Sequence, residues 1–381
     1  MEAILSPVGR CGHANEVPAS VRNAVSCRPQ PTFALQATVD KGGAMRDISF
    51  VSRRDMLRMA GAAALAVADF RTVWAQSAKK IESMAPELDR IISTSEPIRE
   101  LATGYGGDIG PAEGPVWWSE GRYLLFNDIH TARRMKYASG QSATVAMEKT
   151  NEANGMTRDL QGRLVSAEHL TRRVTRYEPD GSLTVIANSF QGKRLLRPND
   201  VIVKSDGSIY FTDPGGNAAP EQWDVTISGV YRVSPDLGSI SLIIDDMVRP
   251  NGLAFSPDES ILYVADSRRR HVRAYDVQPN GTIFKDTSRL FVDLNGAEPG
   301  VPDGIKVDTA GNMFSGGTGG LFIIDPKGKK LGRIVHGQPA TTNVAFGGDD
   351  WKTLFFTTRS TLFSVGVKIA GVPVPVKKGT T

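Results

Sequence analysis

The chain has 381 residues, 40% of them hydrophobic and 23% charged, with 39 Gly and 22 Pro, a composition of soluble, turn-rich β proteins more than of helical ones. Its basic pI of 9.0 is concentrated upstream: residues 1–75 hold 9 Lys and Arg against 6 Asp and Glu, leaving 36 against 35 in the remaining 306. That near-neutral remainder gives a nucleic acid no electrostatic footing. Cys11 and Cys27 are the only cysteines, which excludes a disulfide framework, thiolate metal site or cysteine nucleophile downstream.

Residues 1–44 show no hydrophobic periodicity and read as an upstream extension, with translation expected to begin at Met45. Residues 45–75 read as a twin-arginine (Tat) signal: Arg53 and Arg54 precede the weakly apolar run 59–68, and Ala75 allows cleavage before Gln76. The run is too short for a stable membrane anchor, so the expectation is export by the Tat machinery into the periplasm. The alternative is an amphipathic helix with an accidental arginine pair. Residues 76–112 read as a lead-in segment, helical only around Ala85–Ile92.

From residue 113 one phrase recurs: a polar residue, a small step, an apolar strand, a turn and a second apolar strand. It begins at Glu113, Asn154, Asn199, Asn251, Asp303 and Asn343, which stand 41, 45, 52, 52 and 40 positions apart. Third and fourth strands follow in most units, such as 174–177 with 183–186 and 272–275 with 289–292, joined by turns like Pro179-Asp180-Gly181. Four short strands every forty to fifty residues describe a propeller blade. One blade cannot bury both faces of its sheet, so the units must stack. The expected fold is all-β, a six-bladed β-propeller over 113–381 with a central metal-binding channel.

The first strand of each propeller blade is innermost, so the six leading residues would ring the channel mouth. Carboxylate and amide oxygens converging on one axis are costly unless a cation sits among them. Oxygen ligands with no His in the ring suit one hard divalent ion. Ca²⁺ is preferred, with Mg²⁺, Mn²⁺ or Zn²⁺ as alternatives. The competing reading is that Asn or Asp before Gly merely makes a turn.

Several motifs in order resemble the senescence marker protein-30/gluconolactonase/luciferin-regenerating family, and most of all its bacterial gluconolactonases. They are Glu113-Gly-Pro-Val-Trp117, Arg197-Pro-Asn-Asp200, 205–214, Arg249-Pro-Asn-Gly252 with its continuation to 258, and Val301-Pro-Asp-Gly304. The likeness runs from about 98 to 367. It implies metal ligation by Glu113, Asn199, Asn251 and Asp303, a substrate-facing Arg197, and Asp303 as proton donor and acceptor. Asn199, Asn154, His169 and Asn343 become candidate substrate-lining residues, although a His placed like His169 is often only packed. The implied reaction is metal-dependent hydrolysis of a sugar lactone to the aldonic acid. A Lewis-acidic ion would polarise the carbonyl and acidify water, Asp303 would move the proton, and the Arg197 fork would hold sugar oxygens.

One departure is the stretch 211–217, Phe-Thr-Asp-Pro-Gly-Gly-Asn, where family members often carry a Pro-aromatic pair; the expectation is an altered pocket. No Gly-x-Ser-x-Gly, P-loop or His-Glu-x-x-His occurs, which removes serine-hydrolase, nucleotide and zincin chemistry. Two alternatives stay open: a non-catalytic propeller that binds a sugar or partner around a structural metal, and a hydrolase of another lactone or ester.

Overall fold

The computed structural model describes residues 79–215, 224–225 and 227–375. The extension, the twin-arginine segment, both cysteines, Met45, Gln76, and Gly216 with Asn217 lie outside the described residues. No helix among the described residues is long and apolar enough to cross a membrane.

Six four-stranded antiparallel units follow one another. Blade one runs from Ala112–Trp118 to Thr144–Met147, blade two from Ala153–Arg158 to Leu183–Ala187, and blade three from Val201–Val203 to Ile240–Ile244. Blade four spans Pro250–Phe255 to Arg289–Asp293, and blade five Ile305–Val307 to Lys330–Val335. Blade six is completed from the other end of the chain: Thr341–Gly347, Thr353–Thr358 and Thr361–Gly366 pair with Arg99–Thr103 as the outermost strand. The innermost strand of each blade packs on the innermost strands of its two neighbours, including blade six on blade one, so the ring closes.

The segment expected to be only a lead-in is therefore part of the propeller. Arg99–Thr103 covers the open edge of Thr361–Gly366, and Lys80–Ser83 adds a fifth strand to blade five. Both cover backbone N–H and C=O groups that an uncovered edge would leave unpaired. The helical pattern at Ala85–Ile92 forms a short 3-10 turn, Pro86–Arg90, whose Leu88 is fully buried against blade five.

Period-two alternation sends successive side chains into opposite gaps between blades. In blade three, Phe211 and Tyr231 pack towards blade two with Val165 and Val174, whereas Tyr210 and Val230 pack towards blade four with Leu253 and Leu262. Other clusters fill the gaps between blades four and five, five and six, six and one, and one and two. Each fully buried aromatic or large aliphatic side chain contributes roughly 1.5–3 kcal/mol. The core is thus distributed around the axis, and the axis itself is left to polar residues.

Candidate functional site at the propeller hub

The phrase seen in the sequence has a packing cause. An added Cβ on Gly114 would lie 2.0 Å from the Asn154 carbonyl oxygen, on Gly252 2.1 Å from that of Asp303, and on Gly304 2.1 Å from Asn343 Oδ1. The glycine after Glu113, Asn154, Asn251 and Asp303 lets the neighbouring inner strand approach. These positions are contacts between blades at the hub, not isolated turns. Bulges after Glu113, Ala153 and Pro250 re-aim the strand starts there, as bulges next to functional sites commonly do.

Glu113, Asn154, Asn251 and Asn343 are buried; Asn199 and Asp303 are half-buried. Several of their oxygens have no hydrogen-bond partner among the described residues: Asn154 Oδ1, Asn251 Oδ1 and Asp303 Oδ1 are shielded from solvent and unpaired, as is Oδ2 of the neighbouring Asp200. Asn251 is oriented by its other end, because Nδ2 donates to Ser267 Oγ at 3.0 Å and that hydroxyl donates to the Pro302 carbonyl at 2.6 Å. Glu113 Oε2 accepts the backbone N–H of Gly114, at 2.9 Å.

Electrostatics at the hub is unbalanced. Burial, opposed by the Gly114 N–H and reinforced by Asp200, pushes Glu113 up to about 7. Burial, then the Glu113 and Asp200 carboxylates, raises Asp303 well above the carboxylate range. Burial also raises Asp200, against the ammonium of Lys306. Mutually repelling buried acids with unpaired oxygens fit a cation. Among the described residues no three His, Cys, Asp or Glu side chains form a ligand group by themselves, so any such ion must draw on the amides as well.

Asn199 sits on the ring through its backbone, its N–H donating to Thr212 O and its carbonyl accepting from Gly155 N, both at 2.8 Å. Its side chain makes no hydrogen bond among the described residues. Asp200, which sequence reasoning passed over, occupies the position where blades one, two, four and five carry the glycine. Its Oδ1 would be 2.4 Å from a Cβ on Gly155, so that glycine makes room for the carboxylate. Asn343 is spent differently from expectation. Its Oδ1 accepts Val344 N–H at 2.9 Å, and its amide lowers the pKa of both Glu113 and Asp200. It thus braces the two acids.

His169 is buried beside the ring, with Nε2 3.2 Å from Asn154 Nδ2 and an unpartnered Nδ1. Burial, then the guanidiniums of Arg197 and Arg249, depresses its pKa well below the usual value, so the imidazole is neutral. Arg197 is half-buried with Glu152 Oε2 3.7 Å from its Nη2. The loop before blade two carries Lys149, Asn151 and Glu152 at φ 58, 60 and 54, backbone strain of the kind that persists where a site needs it. Arg197 is anchored by the Asp213 carboxylate, which accepts the N–H groups of Leu196 and Arg197 at 2.7 and 2.5 Å. Arg249 is anchored in the same way by Asp266 and was also missed; the signal was the Arg-Pro-Asn phrase repeated at 197 and 249.

Residues 111–360 match the family model described as SMP-30/Gluconolactonase/LRE-like region. A gluconolactonase of Zymomonas mobilis is 32% identical over 319 residues, covering 77% of this chain and 87% of that protein. A pentonolactonase of Haloferax volcanii is 28% identical, covering 65% of this chain and 80% of its own. Among solved structures, a Xanthomonas campestris gluconolactonase superposes with a TM-score of 0.68 at 29% identity, covering 76% of this chain and 96% of its own.

Proposed function

Because this chain belongs to the SMP-30/gluconolactonase/LRE-like family, we propose that it hydrolyses a sugar lactone to the corresponding aldonic acid around one divalent ion at the hub. The observation that carries this reading is the set of unpaired, solvent-shielded oxygens of Asn251, Asp303, Asn154 and Asp200 beside Glu113. Glu113, Asn251 and Asp303, with Asn199 at the ring's half-exposed position, are the residues that would hold the ion, with Ca²⁺ preferred. An ion bound there supplies Lewis-acid polarisation of the lactone carbonyl and compensates the buried acids.

The chain's own groups do the rest. Arg197, its backbone held by Asp213, grips substrate oxygens through its planar fork. Asp303, half-buried at the hub, accepts a proton from the attacking water as the new C–O bond forms. It returns that proton to the ring oxygen as the old ester bond breaks. The neutral His169 and Asn154 present uncharged polar atoms beside the reacting centre. The test is a panel of aldono-lactones assayed with the purified protein before and after chelation, then with Ca²⁺, Mg²⁺, Mn²⁺ or Zn²⁺ restored. Turnover that survives complete chelation contradicts the metal dependence, and a loaded protein that opens no lactone is a binding propeller instead.

The proposal extends to location: Arg53-Arg54 and the apolar run after it support Tat-dependent export to the periplasm. Replacing both arginines with lysine should retain the precursor inside the cell; unchanged periplasmic recovery would refute the route.

A further inference from the structure

Arg197 and Arg249 occupy the same place in consecutive blades, each followed by Pro and a ring Asn. In both blades the aspartate ending the second strand is consumed by backbone N–H groups. Asp213 takes those of Leu196 and Arg197; Asp266 takes those of Val248, Arg249, Arg268 and Arg269, at 2.9 to 3.3 Å. Neither carboxylate is left to neutralise the guanidinium it positions.

The two arginines then part ways. Arg197 has the Glu152 carboxylate beside it. Arg249, also half-buried, has no carboxylate within 4.0 Å and donates no side-chain hydrogen bond among the described residues. It lies two residues before the hub residue Asn251, half-buried, with its backbone N–H fixed on Asp266, close enough for its charge to oppose that of Arg197. Next to Arg249 on the same blade end, Arg268 is exposed, while Arg269 and Arg270 are turned onto the backbone carbonyls of Asp246 and Gly296. Among the described residues the guanidinium fork of Arg249, at the start of blade four, thus forms no ion pair and has only the Asp303 carboxylate acting on it from a distance, and its geometry matches a carboxylate bidentately. Sugar hydroxyls can accept from it but cannot neutralise it.

We infer that the physiological substrate is an anionic lactone, the monolactone of a sugar diacid, whose free carboxylate pairs with Arg249 while its lactone carbonyl lies at the hub. This rests on the lactonase reading. The free carboxylate is a spectator: water adds to the lactone carbonyl, the ring C–O bond breaks, and the product is the open diacid with no further reactant.

The experiment compares kcat/KM for glucaro-1,4-lactone, glucono-1,5-lactone and a 6-phosphogluconolactone in the metal-loaded wild type, Arg249→Gln and Arg249→Lys. The wild type should favour the carboxylated lactone over the neutral one. Arg249→Gln should lower that selectivity ratio by about 10–100-fold, the worth of a charge-assisted hydrogen bond, chiefly through KM. Arg249→Lys should restore part of it. An equal loss on charged and neutral lactones, or a wild type that favours the neutral one, overturns the inference and leaves the lactonase reading intact. Preference for the phosphorylated lactone reassigns Arg249 to phosphate and overturns the carboxylate. Hydrolysis of none of the three would sink the lactonase reading as well. A thermal melt of each variant separates loss of fold from loss of selectivity.

Discussion

Two sets of buried acids lie in this propeller, and they are treated oppositely. At the ends of the second strands, Asp213 and Asp266 are fully buried with their oxygens taken up by backbone N–H groups. At the hub, Asp303 and Asp200 keep unpaired oxygens and face Glu113. Burial raises Asp213 only to about 6, because the N–H groups of Leu196 and Arg197 oppose it. The two buried histidines divide similarly. His336 Nδ1 accepts from Gln338 N at 3.2 Å while Nε2 meets Thr341 Oγ1 at 2.8 Å, whereas His169 keeps Nδ1 unpartnered. A buried polar group whose bonds are filled builds the fold. Unfilled ones also occur singly elsewhere, as at Tyr231 and Trp117, but at the hub several oxygens are left unfilled together, and that cluster is what calls for a binding partner.

The contrast is sharpest in Asp303→Asn. Turnover should fall by about 10²–10⁴-fold, the usual worth of a proton-transfer group, with a melting temperature in chelator no lower than wild type, since a repelling charge has gone. Full activity would remove Asp303 from the mechanism. Asp213→Ala should do the reverse. Leaving two buried N–H groups without an acceptor costs about 2–5 kcal/mol, read from denaturant midpoints. The released Arg197 should appear as a raised KM. If Asp213→Ala proved as stable as wild type, the distinction between the two sets would fail.

His336 gives a pH test on the filled side. Burial, with a smaller contribution from Lys79, lowers it to about 4, so the unfolded chain takes up a proton that the folded chain refuses between about pH 6.5 and 4. Stability should therefore drop across that window, by up to about 3 kcal/mol, and level off below it. His336→Gln should flatten that part of the profile; an unchanged slope would assign it to other groups. The smallest expected effect is on the unfilled side: a divalent ion at one hundred times its Kd should stabilise the protein by about 2.7 kcal/mol. Asn251→Ala should reduce that gain. Equal stabilisation in the variant would place the ion elsewhere.

Much of the architecture was legible in the chain. Six phrases in phase announced six blades, because strand alternation and turn chemistry are local and repeat with the unit. The leading residues Glu113, Asn154, Asn251 and Asp303 were legible for the same reason. Less visible was the ring's closure by Arg99–Thr103, since a strand paired across the ends of the chain carries no local sign of its partner. Asp200 was hidden because it stands where four of the other blades have glycine, and its importance depends on the space Gly155 leaves beside it.

The sequence by itself determined which residues would stand at the blade starts and that their atoms would be oxygens, because periodicity sets which positions face the axis. Only the tertiary structure decided which of those oxygens stay unpaired. Asn343 and Asn251 are chemically the same residue at equivalent starts, yet one turns its oxygen onto Val344 N–H and the other is held by Ser267 with its oxygen free. That difference arises from neighbours distant in the chain, and hydrogen-bond valence is settled only when those neighbours have packed.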